Sequence, residues 1–229
     1  MTASPALESY VLPFFDHQII AASSSREFDR AHYNHFLERL GIPPESLQLV
    51  KQVHESEIIY TDGSEKLDAS CEADGLITDM RRVAIGIQTA DCIPVFFWDA
   101  VQKIGGIAHA GWRGVKAGII PKMIEEFRGS FDSRPSTIQI AFGPAIRACC
   151  YEVGDEFQDY FPEHYQKAAS EARGRADIVG AAKDQLLKSG LLSSQIFDSE
   201  ICTVCQNQRF FSARREKTSE RILSVLYIK

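Results

Sequence analysis

The chain has no apolar stretch near the roughly 18 residues that a membrane-spanning helix requires. Its amino terminus, MTASPALESYVLPFF, has no basic region leading into an apolar run, so neither a span nor an export signal is expected and a cytoplasmic location is. Positive charge is not in excess. Lys and Arg number 25 against 31 Asp and Glu, giving a formal charge of -6 and a pI near 5.6. That balance argues against nucleic acid as a partner, because non-specific binding draws on cations that neutralise phosphates; a local basic pocket is still compatible with it. Internal repeats, low-complexity tracts and linker-like segments are absent. A single domain over residues 1–229 is therefore expected. Cysteine is sparse, with six residues at 71, 92, 149, 150, 202 and 205. Without an export signal these read as thiols or metal ligands rather than a disulfide framework. No feature of the chain specifies an oligomeric state.

What is present is an ordinary globular composition, 45% apolar and 24% charged, which excludes disorder and fibrous folds. A polar loop leads into a helix with Phe36 and Leu40 on its apolar face, ended by Gly41 and Pro43-Pro44. From residue 47 to about 110, runs rich in β-branched and aromatic residues recur: LQLVKQV, EIIYTD, GLITD, VAIGIQT, IPVFFWD and IGGIAHA. These are read as strands. VKAGIIPKMIEEFRG is read as a helix ending at Gly129, kinked or restarted at Pro121. STIQIAF follows as a strand, GDEFQDYF and ADIVGAAKDQLLKSG as helices, and RILSVLYI as a last strand. Strands grouped first with helices later point to an α+β domain with mixed sheets.

His54, Cys92 and His109 each fall at the end of one of these strands. Ligands at strand ends can meet at one sheet edge, on backbone rigid enough to fix metal geometry. Two imidazoles and a thiolate suit zinc, and three protein ligands leave a tetrahedral position open for water or substrate. Asp91 beside Cys92 is the candidate carboxylate for orientation or proton transfer, with Glu55 next. Gly111 and Gly114 flank Trp112 and Arg113, so the backbone can approach a ligand while Arg113 offers a forked donor to phosphate or carboxylate.

The strings QTADCIPV, IAHAGWRG, FGPAIRACCYEVGDEF and CTVCQNQRFFSARRE together resemble the YfiH-like family, also called the laccase-domain or multicopper polyphenol oxidoreductase family. The likeness runs from KQVH near residue 51 to the end of the chain. It implies a layered αββα sandwich, with His54, Cys92 and His109 as the metal ligands. It also implies purine nucleosides and phosphate as substrates: phosphorolysis of adenosine, inosine and methylthioadenosine, with adenosine deamination as a companion reaction and a bacterial association with peptidoglycan quality control. Because FFSARRE belongs to the matching strings, Arg214 and Arg215 become candidates for reaching phosphate or the partner surface. Family members usually carry a Gly-rich amino-terminal segment followed by Asn-Leu-Gly. Here HQIIAASSSREFDR stands in its place, so residues 1–45 form a divergent segment; Arg26 and Arg30 lie within it, and neither is assigned a role.

Other chemistries compete. The H-x-E and P-C-x-x-C pattern of nucleobase deaminases is missing. A four-copper laccase needs more imidazoles than the six histidines present, three of which (17, 32 and 35) lie outside the matching motifs; one copper in the zinc site could still give weak oxidation. Cys92 could instead be a nucleophile with His109 or His54 as base, acting on amides. A metal-stabilised binding module would need a fourth ligand, for which only Cys149, Cys150, Cys202 or Cys205 is available. Otherwise those four cysteines read as buried packing thiols, and His164 as a surface residue.

Overall fold

The structure, a computed structural model, describes residues 10–11, 15, 17–68, 70–168 and 172–229. The remaining positions of the divergent segment (1–9, 12–14 and 16) lie outside the described residues. Strands β1 (Tyr10–Val11) and β2 (Ile19–Ser23) precede helix α1 (Tyr33–Arg39). Next come β3 (Leu47–Gln48), β4 (Ile58–Tyr60), β5 (Gly75–Thr78), β6 (Ala84–Thr89), β7 (Ile93–Asp99) and β8 (Ile104–Ala110), then helices α2 (Trp112–Lys116) and α3 (Ile119–Phe131). The chain continues through β9 (Ile138–Phe142), β10 (Glu152–Val153), α4 (Phe157–Tyr160), β11 (Tyr165–Gln166), β12 (Gly174–Ala176) and α5 (Ile178–Lys188). Last come β13 (Ile196–Asp198), α6 (Ala213–Glu216) and β14 (Ile222–Ile228).

Two mixed sheets dominate. One has five strands in the order β1-β2-β14-β6-β3 and the other six in the order β13-β9-β7-β8-β5-β4. They pack face to face, with Ile85, Ile87, Leu226 and Ile228 of the first against Leu76, Phe96, Trp98 and Ile107 of the second. The outer face of the smaller sheet is covered by Phe36 and Leu37 of α1 on Ala84, Leu223 and Val225. The outer face of the larger is covered by α3 and α5, which set Ile120, Met123, Phe127, Val179 and Leu186 on Ile77, Val95, Phe97 and Ile140. The layers thus run helix, sheet, sheet, helix, and the α+β reading with an αββα sandwich holds. Because both faces of β7 are buried, its run IPVFFWD is apolar throughout. Burying each such large side chain stabilises the fold by about 1.5–3 kcal/mol.

Three local readings change. LQLVKQV forms only the two-residue β3 and an isolated bridge from Lys51 to Glu72. Beyond β3, the Gln52 side-chain amide replaces backbone pairing, accepting from Gln88 N–H at 2.7 Å and donating to Gln88 C=O at 2.9 Å. VKAGIIPKMIEEFRG is two helices, separated at Gly118 with φ +82. Pro121 falls in the restarted first turn, where a missing N–H is tolerated, and α3 runs past Gly129 to Phe131. GDEFQDYF supplies only the single turn α4.

Candidate metal centre

Topology brings the three predicted ligands together. His54 lies on the connection from β3 to β4 and Cys92 on the connection from β6 to β7, and both connections pass from the smaller sheet to the larger. Because β3 and β6 are parallel neighbours, their exits share one edge. At that edge β7 begins where antiparallel β8 ends, and Pro94 pairs with His109. One ligand atom each from His54, Cys92 and His109 lies within 4.8 Å of the others. The two imidazole rings stand edge to face at 4.7 Å. His54 and Asp91 hold positive φ angles of 62° and 93°, so the two turns that present the site depart from relaxed backbone.

Asp74, at the start of β5, organises the cluster and was not among the residues singled out from the sequence. Its side chain is fully buried. Oδ1 accepts from His109 Nδ1 at 2.7 Å and from the His54 amide at 3.1 Å. Oδ2 accepts from the amides of Glu55 at 2.8 Å and Val53 at 3.2 Å. One carboxylate therefore shapes the His54 turn and orients the His109 ring. A carboxylate only accepts, so Nδ1 carries the proton and Nε2 of His109 keeps its lone pair, as a metal ligand needs. Burial works against ionising Asp74, but the His109 hydrogen bond and the Glu55 and His54 amides outweigh it and lower its pKa.

In the metal-free site the electrostatics favour a Cys92 thiolate beside a protonated His109, so the thiolate ligand is ready and His109 sheds its Nε2 proton when an ion binds. Burial opposes ionisation of Cys92, but the charge and hydrogen bonding of His109, joined by His54, bring its pKa down to about 6. Burial likewise disfavours charge on His109, yet Cys92 and Asp74 raise its pKa to about 9. Room for an ion is built in at Gly111: a Cβ there would lie 3.0 Å from Cys92 Sγ and 3.3 Å from His54 Nδ1. The donor set and this cradle both fit a borderline-soft divalent metal such as zinc. Gly114 has a different use from the one expected, since a Cβ there would meet the Glu55 carbonyl at 3.0 Å. It lets α2 pack on the His54 turn.

The cluster opens into a cleft of about 810 Å3 whose lining includes His54, Cys92, His109, Gly111, Trp112 and Arg113. Arg113 is exposed, with its guanidinium 4.4 Å over the Trp112 ring. Arg30, Lys51 and Arg221 add further cations to the lining. Arg30 comes from the divergent segment, and Arg221 was not singled out.

Asp91 is buried with both oxygens engaged. Oδ1 accepts from the Thr203 hydroxyl at 2.6 Å and Oδ2 from the Arg214 amide at 2.7 Å, while the Asp91 carbonyl accepts from Ile146 N–H at 2.9 Å. It therefore ties three segments together immediately before Cys92. Arg214 and Arg215 do not line the cleft. The Arg214 guanidinium donates to the Glu152 carbonyl and lies 5.1 Å over the Tyr151 ring. The Arg215 side chain is exposed, and its amide donates to Ser212 Oγ. The cysteines expected as packing thiols are not all buried: Cys202 is, Cys150 is intermediate, and Cys149 and Cys205 are exposed. They converge on one another as a group separate from the His54 cluster.

Comparison with known proteins gives the family and the fold. Residues 25–229 match the family described as multi-copper polyphenol oxidoreductase laccase. The chain is 34% identical over 204 residues to purine nucleoside phosphorylase YlmD of Geobacillus stearothermophilus, covering 82% of this chain and 74% of that protein. It is 32% identical over 193 residues to adenosine deaminase RL5 of an unknown prokaryotic organism, covering 77% and 72%. The crystal structure of YlmD from Geobacillus stearothermophilus superposes with a TM-score of 0.88 at 28% identity, covering 95% of this chain and 94% of that one. Among the described residues, no helix is long and apolar enough to cross a membrane.

Proposed function

We propose, since this chain belongs to the multi-copper polyphenol oxidoreductase laccase family, that it is a zinc-dependent purine nucleoside phosphorylase with adenosine deaminase as a second activity. Relatives at 34% and 32% identity carry those two names. The observation that carries the reading is the convergence of His54, Cys92 and His109 at the wall of a cleft that also presents Arg113, Arg30 and Arg221.

His54, Cys92 and His109 would hold the ion, and Asp74 fixes the His109 tautomer. A bound zinc supplies Lewis-acid polarisation and a lowered pKa for water, which serve the deamination branch directly. In phosphorolysis the bond between the sugar C1′ and the purine nitrogen breaks, a phosphate oxygen bonds to C1′, and the purine leaves with a proton. Arg113, with Arg30 and Arg221, binds and orients the phosphate, since planar guanidinium suits bidentate anion contacts. Positioning and electrostatics dominate the rate. Because both Asp91 oxygens are engaged, Asp91 acts as a positioning residue for Cys92, and proton transfer falls to Glu55, exposed beside His54, or to Asp68 in the cleft lining. Arg214 supports Asp91 through its amide.

The test is release of hypoxanthine from inosine with and without phosphate. Phosphate-dependent release with ribose 1-phosphate as co-product supports the reading; release at the same rate without phosphate overturns it. One observation favours a second reading. The lowered Cys92 and raised His109 pKa values describe the ion pair that a thiol nucleophile needs. On that reading zinc would inhibit amide hydrolysis instead of supporting turnover.

A further inference from the structure

Away from the cleft, two turns bring four sulfurs together. Cys149 and Cys150 lie in the turn after β9, and Cys202 and Cys205 in the turn after β13. All four sulfurs lie within 4.8 Å of one another. Cys149 Sγ is 3.8 Å and Cys150 Sγ 3.4 Å from Cys205 Sγ. Tetrahedral zinc with Zn–S bonds of about 2.3 Å holds its sulfurs about 3.8 Å apart, whereas a disulfide brings two to about 2.05 Å. We propose that Cys149, Cys150, Cys202 and Cys205 form a second, structural zinc site that clamps the two turns behind Cys92.

The backbone is built for this. The turns are joined independently of any ion: Ala145 N–H donates to Ile201 C=O at 3.2 Å and Thr203 N–H to Ala145 C=O at 3.1 Å. Arg147 forks onto Asp198, and Arg175 donates to the Cys149 carbonyl at 2.8 Å. Each of the four thiols gives up its proton on binding an ion. Cys149 and Cys205 are exposed, so an ion has a path in. The clamp reaches the catalytic side through Asp91, which is held by Ile146 and Thr203 from the same two turns. Closing the site with four protein ligands fits a structural role; the His54 cluster, with three, keeps an open position.

Native mass spectrometry of the zinc-loaded, reduced protein should show two ions per chain. The double variant His54→Ala/Cys92→Ala should keep one, and Cys202→Ser/Cys205→Ser should keep the other. If the cysteine variant does not fold, the His54→Ala/Cys92→Ala protein still decides the question, because thiolate ligation of its retained ion separates the four thiols from the group of Glu163, His164 and Asp184. Cobalt in that retained site should give strong thiolate charge-transfer absorption, a readout independent of turnover. A single zinc in the wild type that disappears with His54→Ala/Cys92→Ala overturns the proposal. So does a chain two hydrogens lighter with no second ion, which would mean a disulfide.

Discussion

Replacing Asp74 with Asn isolates what the buried carboxylate does, because the side chain keeps its size and loses one acceptor. An Asn oxygen facing the Val53 and Glu55 amides preserves both of those bonds, which places the Asn NH2 where Oδ1 now meets His54 N–H and His109 Nδ1. The NH2 group only donates there. His109 must then accept at Nδ1 and carry its proton on Nε2, the nitrogen a metal would use. The reverse orientation sets two amide donors against a donor, at about 1–3 kcal/mol for each unsatisfied group. Loss of such an outer-shell carboxylate weakens metal binding about 10–100-fold, equivalent to about 1.4–2.7 kcal/mol. Zinc affinity is read by chelator competition, with circular dichroism reporting the fold. A folded Asp74→Asn protein within twofold of wild-type zinc affinity would refute this role.

Three further predictions follow from the same geometry. Gly111→Ala places a Cβ 3.0 Å from Cys92 Sγ and should weaken zinc about 10-fold with little change in melting temperature; unchanged affinity in the same competition assay would contradict the cradle. In metal-free protein, Cys92 should become alkylated by iodoacetamide as pH rises through about 6, and zinc should suppress the reaction; a midpoint near 9 would mean that His109 does not stabilise the thiolate. Burial opposes ionising Asp198, but Arg147 and Lys183 hold its pKa down to about 2 against an ordinary 3.8. A depressed acid pKa stabilises the fold above the unfolded value and loses that contribution as pH falls through the folded one. Asp198→Asn should therefore cost about 2 kcal/mol in denaturant melts at pH 6, and the gap should narrow between about pH 4 and 2; a pH-independent gap would contradict the assignment.

The long buried runs were legible in the sequence because they are continuous apolar runs of strand length: IPVFFWD, IGGIAHA and RILSVLYI contain β7, β8 and β14, buried along their whole length. What escaped depended on distant partners. IIAAS, within the divergent segment and assigned no element from the sequence, becomes β2 because β14 and β1 pair with it on its two sides. The three residues of β13 are only partly buried and gain strand character from parallel pairing with β9. The convergence of His54, Cys92 and His109 was readable from strand ends and motif strings. Asp74 was one acid among 31, and its signal, an Asp directly before the strand GLIT, gains meaning only once burial demands partners for the charge. The four clustered cysteines were visible as two pairs, and only the bridge between Ala145 and Cys202 shows that the pairs meet.

Turnover is predicted to depend on an ion held by His54, Cys92 and His109. Titrating zinc into metal-free protein while following phosphate-dependent hypoxanthine release tests it directly. Activity should be absent at the start, rise with occupancy of this cluster, and stay absent in Cys92→Ser at any zinc concentration. A metal-free protein that is already fully active would contradict the claim.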